Sequence, residues 1–220
     1  MNLKSYEKWW EVNIGADTYI HEGVEQKAPT LKEFKDWMGD PMERDRVEVR
    51  SLFGDFESIL DAGCGACPEY YALKDKGVLK YTGMDITPKI VDFNKSKNIE
   101  CVQGTLNDIP FPDNSFDVVH SRHVVEHMSG IESPLKEMIR VSKKRVLISF
   151  FISPAQNWSY EHKISLDNAN TSGEVYHNCY SKVLIDKLLD KNPKVEGHFW
   201  RELSTVNAPK ITLVVDVKSL

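Results

Sequence analysis

The sequence predicts an α/β domain: a doubly wound, mostly parallel sheet with helices on both faces and one antiparallel strand near the C-terminus. Three observations predict it. Strand-like apolar runs alternate with helical patterns through the second and third quarters of the chain, the order of a parallel sheet covered by helices. The first run ends in a glycine cluster followed by Pro68, placed where the first turn of a helix tolerates its missing N–H. The last two runs, Val195 to Leu203 and Ile211 to Val217, are joined by a short loop containing Asn207 and Pro209, which suits antiparallel neighbours.

The elements follow in order. Met42 to Phe53 reads as a helix, then Glu57 to Ala62 as the first strand of the sheet. Lys80 to Ile86, Ile99 to Gln103 and Phe116 to His120 read as the next three strands. Val124 to Met128 starts a short helix. Ser133-Pro134 reads as a helix N-cap and first turn, with Leu135, Met138 and Ile139 as the apolar stripe. Arg145 to Phe151 is unbroken and apolar, so it is expected to be buried on both faces. Ser181 caps a helix with Val183-Leu184 and Leu188-Leu189 as its stripe, ended by Pro193.

The chain of 220 residues carries 28 Lys+Arg against 33 Asp+Glu, a net charge of -5. That mild acidity argues against broad nucleic-acid binding, which needs a basic surface. No apolar run reaches the roughly 18 residues that span a membrane, and Met1 to Trp10 does not read as a signal peptide. Four cysteines are too few and too scattered for a secreted framework, so a cytoplasmic location is expected. The reading is one domain over 1–220. It divides into an N-terminal cover (1–40), a cofactor-binding core (41–151), a substrate-side insertion (152–180), and a C-terminal helix with two strands (181–220).

The chemistry is carried by Asp61-Ala-Gly63-Cys64-Gly65-Ala-Cys67, directly after the first strand of the sheet. Glycines there let the backbone approach a ligand and take positive φ, and the helix that follows supplies free N–H groups. Asp61 repels a pyrophosphate and suits a cationic ligand. Asp85 ends the second strand 20 residues after Gly65, the spacing at which an acidic residue accepts both ribose hydroxyls of a nucleoside. Together they describe a nucleoside with a positive, non-phosphate tail, and S-adenosylmethionine is such a ligand.

On these residues the chain resembles the class I S-adenosylmethionine-dependent methyltransferases of the small-molecule type, with a Rossmann-like seven-stranded sheet. The matching segments are LDAGCGACPEYYAL (60–73), YTGMDIT (81–87), CVQGTLNDIPFPDNSFDVVHSRHVVEHM (101–128) and PLKEMIRVSKKRVLISF (134–150), and more loosely NCYSKVLIDKLL near the C-terminus. The resemblance implies that Asp61 and the turn of Gly63, Cys64 and Gly65 hold the methionine moiety. It implies that Asp85 takes the ribose and Ile86 packs on the adenine. Thr105 and Leu106 border the adenine edge, and the His120 backbone faces the amino group and sulfonium region. The sequence departs from the family at Cys67, where Gly or Ala is usual, and at Thr105, where an Asp often stands. It departs again at Ser142-Lys143-Lys144-Arg145, which replaces a Lys-Pro-Gly-Gly surface turn.

The expected reaction moves a methyl group from S-adenosylmethionine to an O, N or other nucleophile of a small molecule, with no nucleic-acid or membrane partner. His123, Tyr19, His21 and His162, with His177, are the candidates for acceptor-side chemistry. The acceptor pocket is assigned to the aromatic-rich cover and insertion, through Trp9, Trp10, Tyr19, Trp37, Phe151, Trp158 and Tyr160. The alternative is a non-catalytic module that binds S-adenosylmethionine or a partner on the same fold. A nicotinamide dehydrogenase is disfavoured by Asp61 and by Cys67-Pro68-Glu69 where a last glycine should stand. Amino-methylation of bases is disfavoured by His-Ser-Arg-His at the end of the fourth strand. No metal is expected. His123-Val-Val-Glu126-His127 spells an inverted zinc-protease signature but lies in the wrong fold. Cys64-Gly-Ala-Cys67 lacks a second such pair and reads as small residues filling a tight turn.

Overall fold

The computed structural model describes residues 18–21, 24–27, 40–74, 76, 80–165, 174–204 and 210–219, with backbone alone at 18–21, 24–27, 164–165 and 174–175. Thr18–His21 (β1) and Val24–Lys27 (β2) pair as an antiparallel hairpin. The helix α1 (Arg44–Ser51) leads into β3 (Ser58–Ala62), α2 (Pro68–Leu73), β4 (Lys80–Asp85), α3 (Pro88–Lys95) and β5 (Cys101–Gln103). Then come β6 (Phe116–Arg122), a 3₁₀ turn (Val125–His127), α4 (Glu132–Val141) and β7 (Ser142–Phe150). A small antiparallel pair, β8 (Lys163–Ser165) and β9 (Glu174–Tyr176), precedes α5 (Lys182–Asp190), β10 (Val195–Leu203) and β11 (Lys210–Val217).

Seven of these strands form one sheet in the order β10-β11-β7-β6-β3-β4-β5. Pairing is parallel from β7 through β5, and β11 runs antiparallel to both β7 and β10. The expected fold, with its single reversed strand, is the one observed. The loop with Asn207 and Pro209 lies outside the described residues.

Every residue of β3 is buried, because helices cover both faces. Ile59 packs on one side with Val49, Phe53, Leu73, Val118, Leu147 and Val214. Leu60 and Ala62 face the other, with Leu135, Met138 and Ile139 of α4 and Ile185 and Leu189 of α5. Alternation along a strand buried on both faces thus builds two core layers from one run.

Three expectations need correction. The helix α4 starts at Glu132, with Ile131 as N-cap. Leu135 already donates to the Ile131 carbonyl at 3.0 Å, so Ser133 sits inside the first turn, and its hydroxyl donates to the Asn107 carbonyl at 3.3 Å. On α5 the buried stripe is Ile185 and Leu189, one turn apart, while Leu184 is exposed. The cap itself holds: the Ser181 hydroxyl accepts from the Leu184 amide at 3.3 Å. The residues Ser142-Lys143-Lys144 are not a surface turn but the start of β7. No glycine is needed there because the Lys194 ammonium donates to the carbonyls of Ile139, Arg140 and Ser142 at 2.8–3.0 Å, supplying the partners that a helix C-terminus lacks.

Candidate cofactor and acceptor site

The strand β3 stands between β4 and β6, so the sheet order turns beside it. In open α/β sheets ligands bind outside the carboxyl ends of the strands at that point. Asp61, Asp85 and His120 all lie there.

The side chain of Asp61 is buried and held from two sides. The Tyr81 hydroxyl donates to one oxygen at 2.7 Å, and Nδ1 of His120 lies 3.3 Å from the other. The glycine turn follows, with Gly63 at φ 82° and Gly65 at φ 52°. The amides of Gly63 and Cys64 both donate to the Met84 carbonyl, at 2.7 and 3.0 Å. Where Gly63 is expected to offer its backbone to the cofactor, the structure adds a protein contact. A Cβ there would stand 2.3 Å from Cγ2 of Val124, so the chain after β6 packs onto the turn.

Asp85 orders the same turn from β4. Its carboxylate accepts the Gly65 amide at 3.1 Å and the Thr87 amide at 3.0 Å. Burial pushes it up to about 6, against the pull of those two amides. Ile86 is half-buried beside it, and its carbonyl accepts from Gln103 at 3.1 Å. The Thr105 hydroxyl accepts the Asn107 amide at 3.4 Å, and Leu106 is buried in the main core with Met84 and Ile109.

Past the ends of β6 and β7 the structure gathers residues that are far apart in sequence. The Phe151 ring lies 5.7 Å from His123, 5.3 Å from His127 and 5.4 Å from His177. Tyr176, Asn178 and Tyr180 fasten this cluster to the turn after β6. Tyr180 donates to the Val125 carbonyl at 3.0 Å, Asn178 donates to the Met128 carbonyl at 2.9 Å, and Nδ1 of His127 meets the Tyr176 carbonyl at 2.8 Å. Burial holds His127 down to about 4. Burial, with the charges of Arg122, Lys210 and Arg46, holds His123 down to about 2. Both imidazoles are therefore neutral at physiological pH. His162 is exposed. Tyr19 and His21 lie on β1, with side chains outside the described part, as are Trp9, Trp10 and Trp37.

Several site residues carried no legible sequence signal. Tyr81 and Asn94 sit in ordinary strand and helix patterns. Arg122 and Lys210 flank Asp45, donating at 2.9 and 2.7 Å, from strands far apart in the chain.

Residues 60–150 match a family model described as a methyltransferase domain. This stretch is a methyltransferase domain. The fold is that of solved S-adenosylmethionine-dependent methyltransferases. Over 93 residues the chain is 34% identical to an uncharacterized methyltransferase of Bacillus subtilis, covering 39% of this chain and 36% of that one. Over 95 residues it is 30% identical to the ajmaline N-methyltransferase of Rauvolfia serpentina, covering 39% and 32%. The chain thus spans about a third of the length of these curated relatives. A crystal structure of an S-adenosylmethionine dependent methyltransferase from Mesorhizobium loti shares the fold, with a TM-score of 0.60 and 12% identity over 81% of this chain and all of that one.

The methyltransferase domain implies S-adenosylmethionine, and the residues present fit it. Thr87 Oγ1, His120 Nε2, Ser121 Oγ and His123 Nε2 are buried with no hydrogen-bond partner among the described residues. Buried polar atoms are otherwise nearly always paired. Thr87, His120 and Ser121 lie at or just past the carboxyl ends of β4 and β6, where a nucleoside with an amino-acid tail brings donors and acceptors, and His123 stands apart from them beside Phe151. Among the described residues no helix is long and apolar enough to cross a membrane.

Proposed function

We propose that this chain moves the methyl group of S-adenosylmethionine to an O, N or other nucleophile of a small molecule. The supporting observation is the meeting of Asp61, the Gly63–Gly65 turn and Asp85 at the switch point, beside buried polar atoms that lack partners among the described residues. Asp85 accepts the ribose hydroxyls while it orders the Gly65 amide. Asp61, braced by Tyr81 and His120, sets negative charge where the cationic tail lies. Ile86, Thr105 and Leu106 border the adenine, and the His120 backbone meets the amino group.

When bound, S-adenosylmethionine supplies a methyl group already activated by its sulfonium. The chain's residues then need to align the acceptor and exclude water. The Phe151 ring and the imidazoles around it form an apolar, partly polar wall for that acceptor. A group held down to about 2 does not store a proton at neutral pH. His123 therefore orients the acceptor by taking a hydrogen bond at Nε2, and any proton lost by the acceptor leaves to another base or to water.

The test is a metabolite library incubated with the chain and methyl-labelled S-adenosylmethionine, with calorimetry for cofactor binding. Label in one small-molecule acceptor supports the reading. Cofactor binding without transfer to any acceptor favours the non-catalytic module, and absent binding overturns both.

A further inference from the structure

The pair Cys64-Gly-Ala-Cys67 looks incomplete in the sequence, and the fold completes it. Cys101 at the start of β5 brings a third thiol beneath the glycine turn. The sulfurs of Cys64, Cys67 and Cys101 lie within 4.8 Å of one another, and those of Cys64 and Cys101 are 3.7 Å apart. All three are free thiols, 0–3% exposed.

Three further observations single out this cluster. A Cβ on Gly83 of β4 would stand 2.9, 3.0 and 3.3 Å from the three sulfurs, so the sulfurs converge on the space that this glycine leaves. Cys67 holds φ 53°, the left-handed region that favours glycine, and keeps a sulfur there. Asn94 is fully buried, with Oδ1 lacking a partner among the described residues. Its Nδ2 donates to the Gly65 carbonyl at 2.7 Å and points at the Cys64 and Cys101 sulfurs at 3.8 and 3.7 Å.

Three thiolates at about 2.3 Å from one ion stand roughly 3.8–4.0 Å apart, close to the 3.7 Å between the Cys64 and Cys101 sulfurs and inside the 4.8 Å that bounds all three. Sulfur ligands select soft ions such as zinc(II) and copper(I) over magnesium or calcium. We propose that Cys64, Cys67 and Cys101 form a metal site for one thiophilic ion, with Asn94 donating to the sulfurs from the side. Loading zinc(II) forms three S–metal bonds and releases the three thiol protons to solvent, with no change of oxidation state. The bound ion ties the turn after β3 to β5. The site does not depend on the methyl-transfer reading.

The experiment uses the full chain, reduced and freed of metal by a chelator. Zinc(II) binding is read by elemental analysis, and cadmium(II) by its thiolate absorption. The expected result is one ion per chain, a higher melting temperature on loading, and at least a hundredfold weaker binding in Cys101→Ser. Cys179→Ser, outside the cluster, stays within twofold of the parent. Substoichiometric metal, or equal binding in the two variants, overturns the site. If Cys101→Ser does not fold, thiol labelling decides. Zinc(II)-loaded parent in mild denaturant should protect three of its four cysteines from iodoacetamide until chelator is added. Labelling unaffected by chelator overturns the proposal.

Discussion

The Asp85 carboxylate at the end of β4 accepts the backbone amide of Gly65 at 3.1 Å, so one strand shapes the turn that leaves its neighbour. Burial pushes Asp85 from the ordinary 3.8 up to about 6. Because the folded value is raised, the protonated form favours folding. That contribution is present below about 4 and is lost as pH rises through about 6. The ionised form is the better acceptor for ribose hydroxyls. S-adenosylmethionine affinity should therefore fall about tenfold between pH 7 and pH 5. Asp85→Asn should bind at least ~10-fold more weakly at pH 7, losing charge-assisted bonds, and its affinity should vary little with pH. Calorimetry at pH 5, 6 and 7 checks both, and a flat wild-type profile counts against the ribose assignment.

Gly63 is constrained from two sides at once. Its φ of 82° strains any side chain, and Val124 occupies the place of a Cβ at 2.3 Å. Overpacking costs roughly 1–3 kcal/mol and left-handed backbone about 1–2 kcal/mol. Gly63→Ala should thus destabilise by ~2–5 kcal/mol. Removing the Val124 methyls relieves only the packing part, so Val124→Ala in the Gly63→Ala background should recover at least ~1 kcal/mol. Urea unfolding of the four proteins measures the coupling. Strict additivity would mean that Val124 does not press on the turn.

The readable parts of this chain were those set by local order. Asp61, Gly63, Gly65 and Asp85 lie within 25 residues at spacings fixed by strand, turn and helix. Ser181 caps its helix three residues before the amide it serves. The unreadable parts depend on contacts between distant segments. Val124 seals Gly63 from 61 residues away, and Lys194 replaces a glycine cap on α4 from beyond α5. The imidazoles of His127 and His177 meet directly, 5.0 Å apart, and Phe151, just past β7, touches both of them and His123. The start of α4 misled for a local reason: Ser-Pro fits an N-cap and first turn, and it also fits inside a first turn, where the Ser133 N–H needs no intrahelical partner and Pro134 has no N–H to leave unpaired.

Glu126 links the turn after β6 to the end of β7, since one of its oxygens accepts the Phe151 amide at 2.7 Å and the Ile152 amide at 3.3 Å. Burial pushes it from 4.5 up to about 8 against those two bonds. The folded value is again the raised one. The contribution of Glu126 to stability is full below about 4.5 and is lost as pH rises through about 8. Glu126→Gln cannot ionise. The parent should lose on the order of 2–4 kcal/mol more unfolding free energy than Glu126→Gln between pH 5 and pH 9. Parallel stability curves for the two proteins would show that Glu126 does not titrate in this window.

His123 separates the needs of the acceptor site from those of the fold. Its backbone holds φ 60°, a region that Asn tolerates better than most residues. Its amide donates to the Ser149 carbonyl at 2.8 Å, a bond that any residue but proline can make. Its ring lies against Phe151 at 5.7 Å, and its Nε2 has no partner among the described residues. His123→Asn keeps the backbone conformation and shortens the side chain away from that place. Stability should change by less than ~1 kcal/mol, because eased backbone strain offsets lost ring packing. Once an acceptor is known, its KM should rise about tenfold or more, the worth of one hydrogen bond to a neutral group. S-adenosylmethionine affinity should stay within about twofold of the parent, a difference of ~0.4 kcal/mol. His123→Ala should show the same KM defect with a larger loss of stability, because alanine tolerates positive φ poorly. Steady-state kinetics beside urea unfolding separate the effects. If cofactor affinity falls as far as acceptor KM rises, His123 supports the turn over Gly63 and does not orient the acceptor.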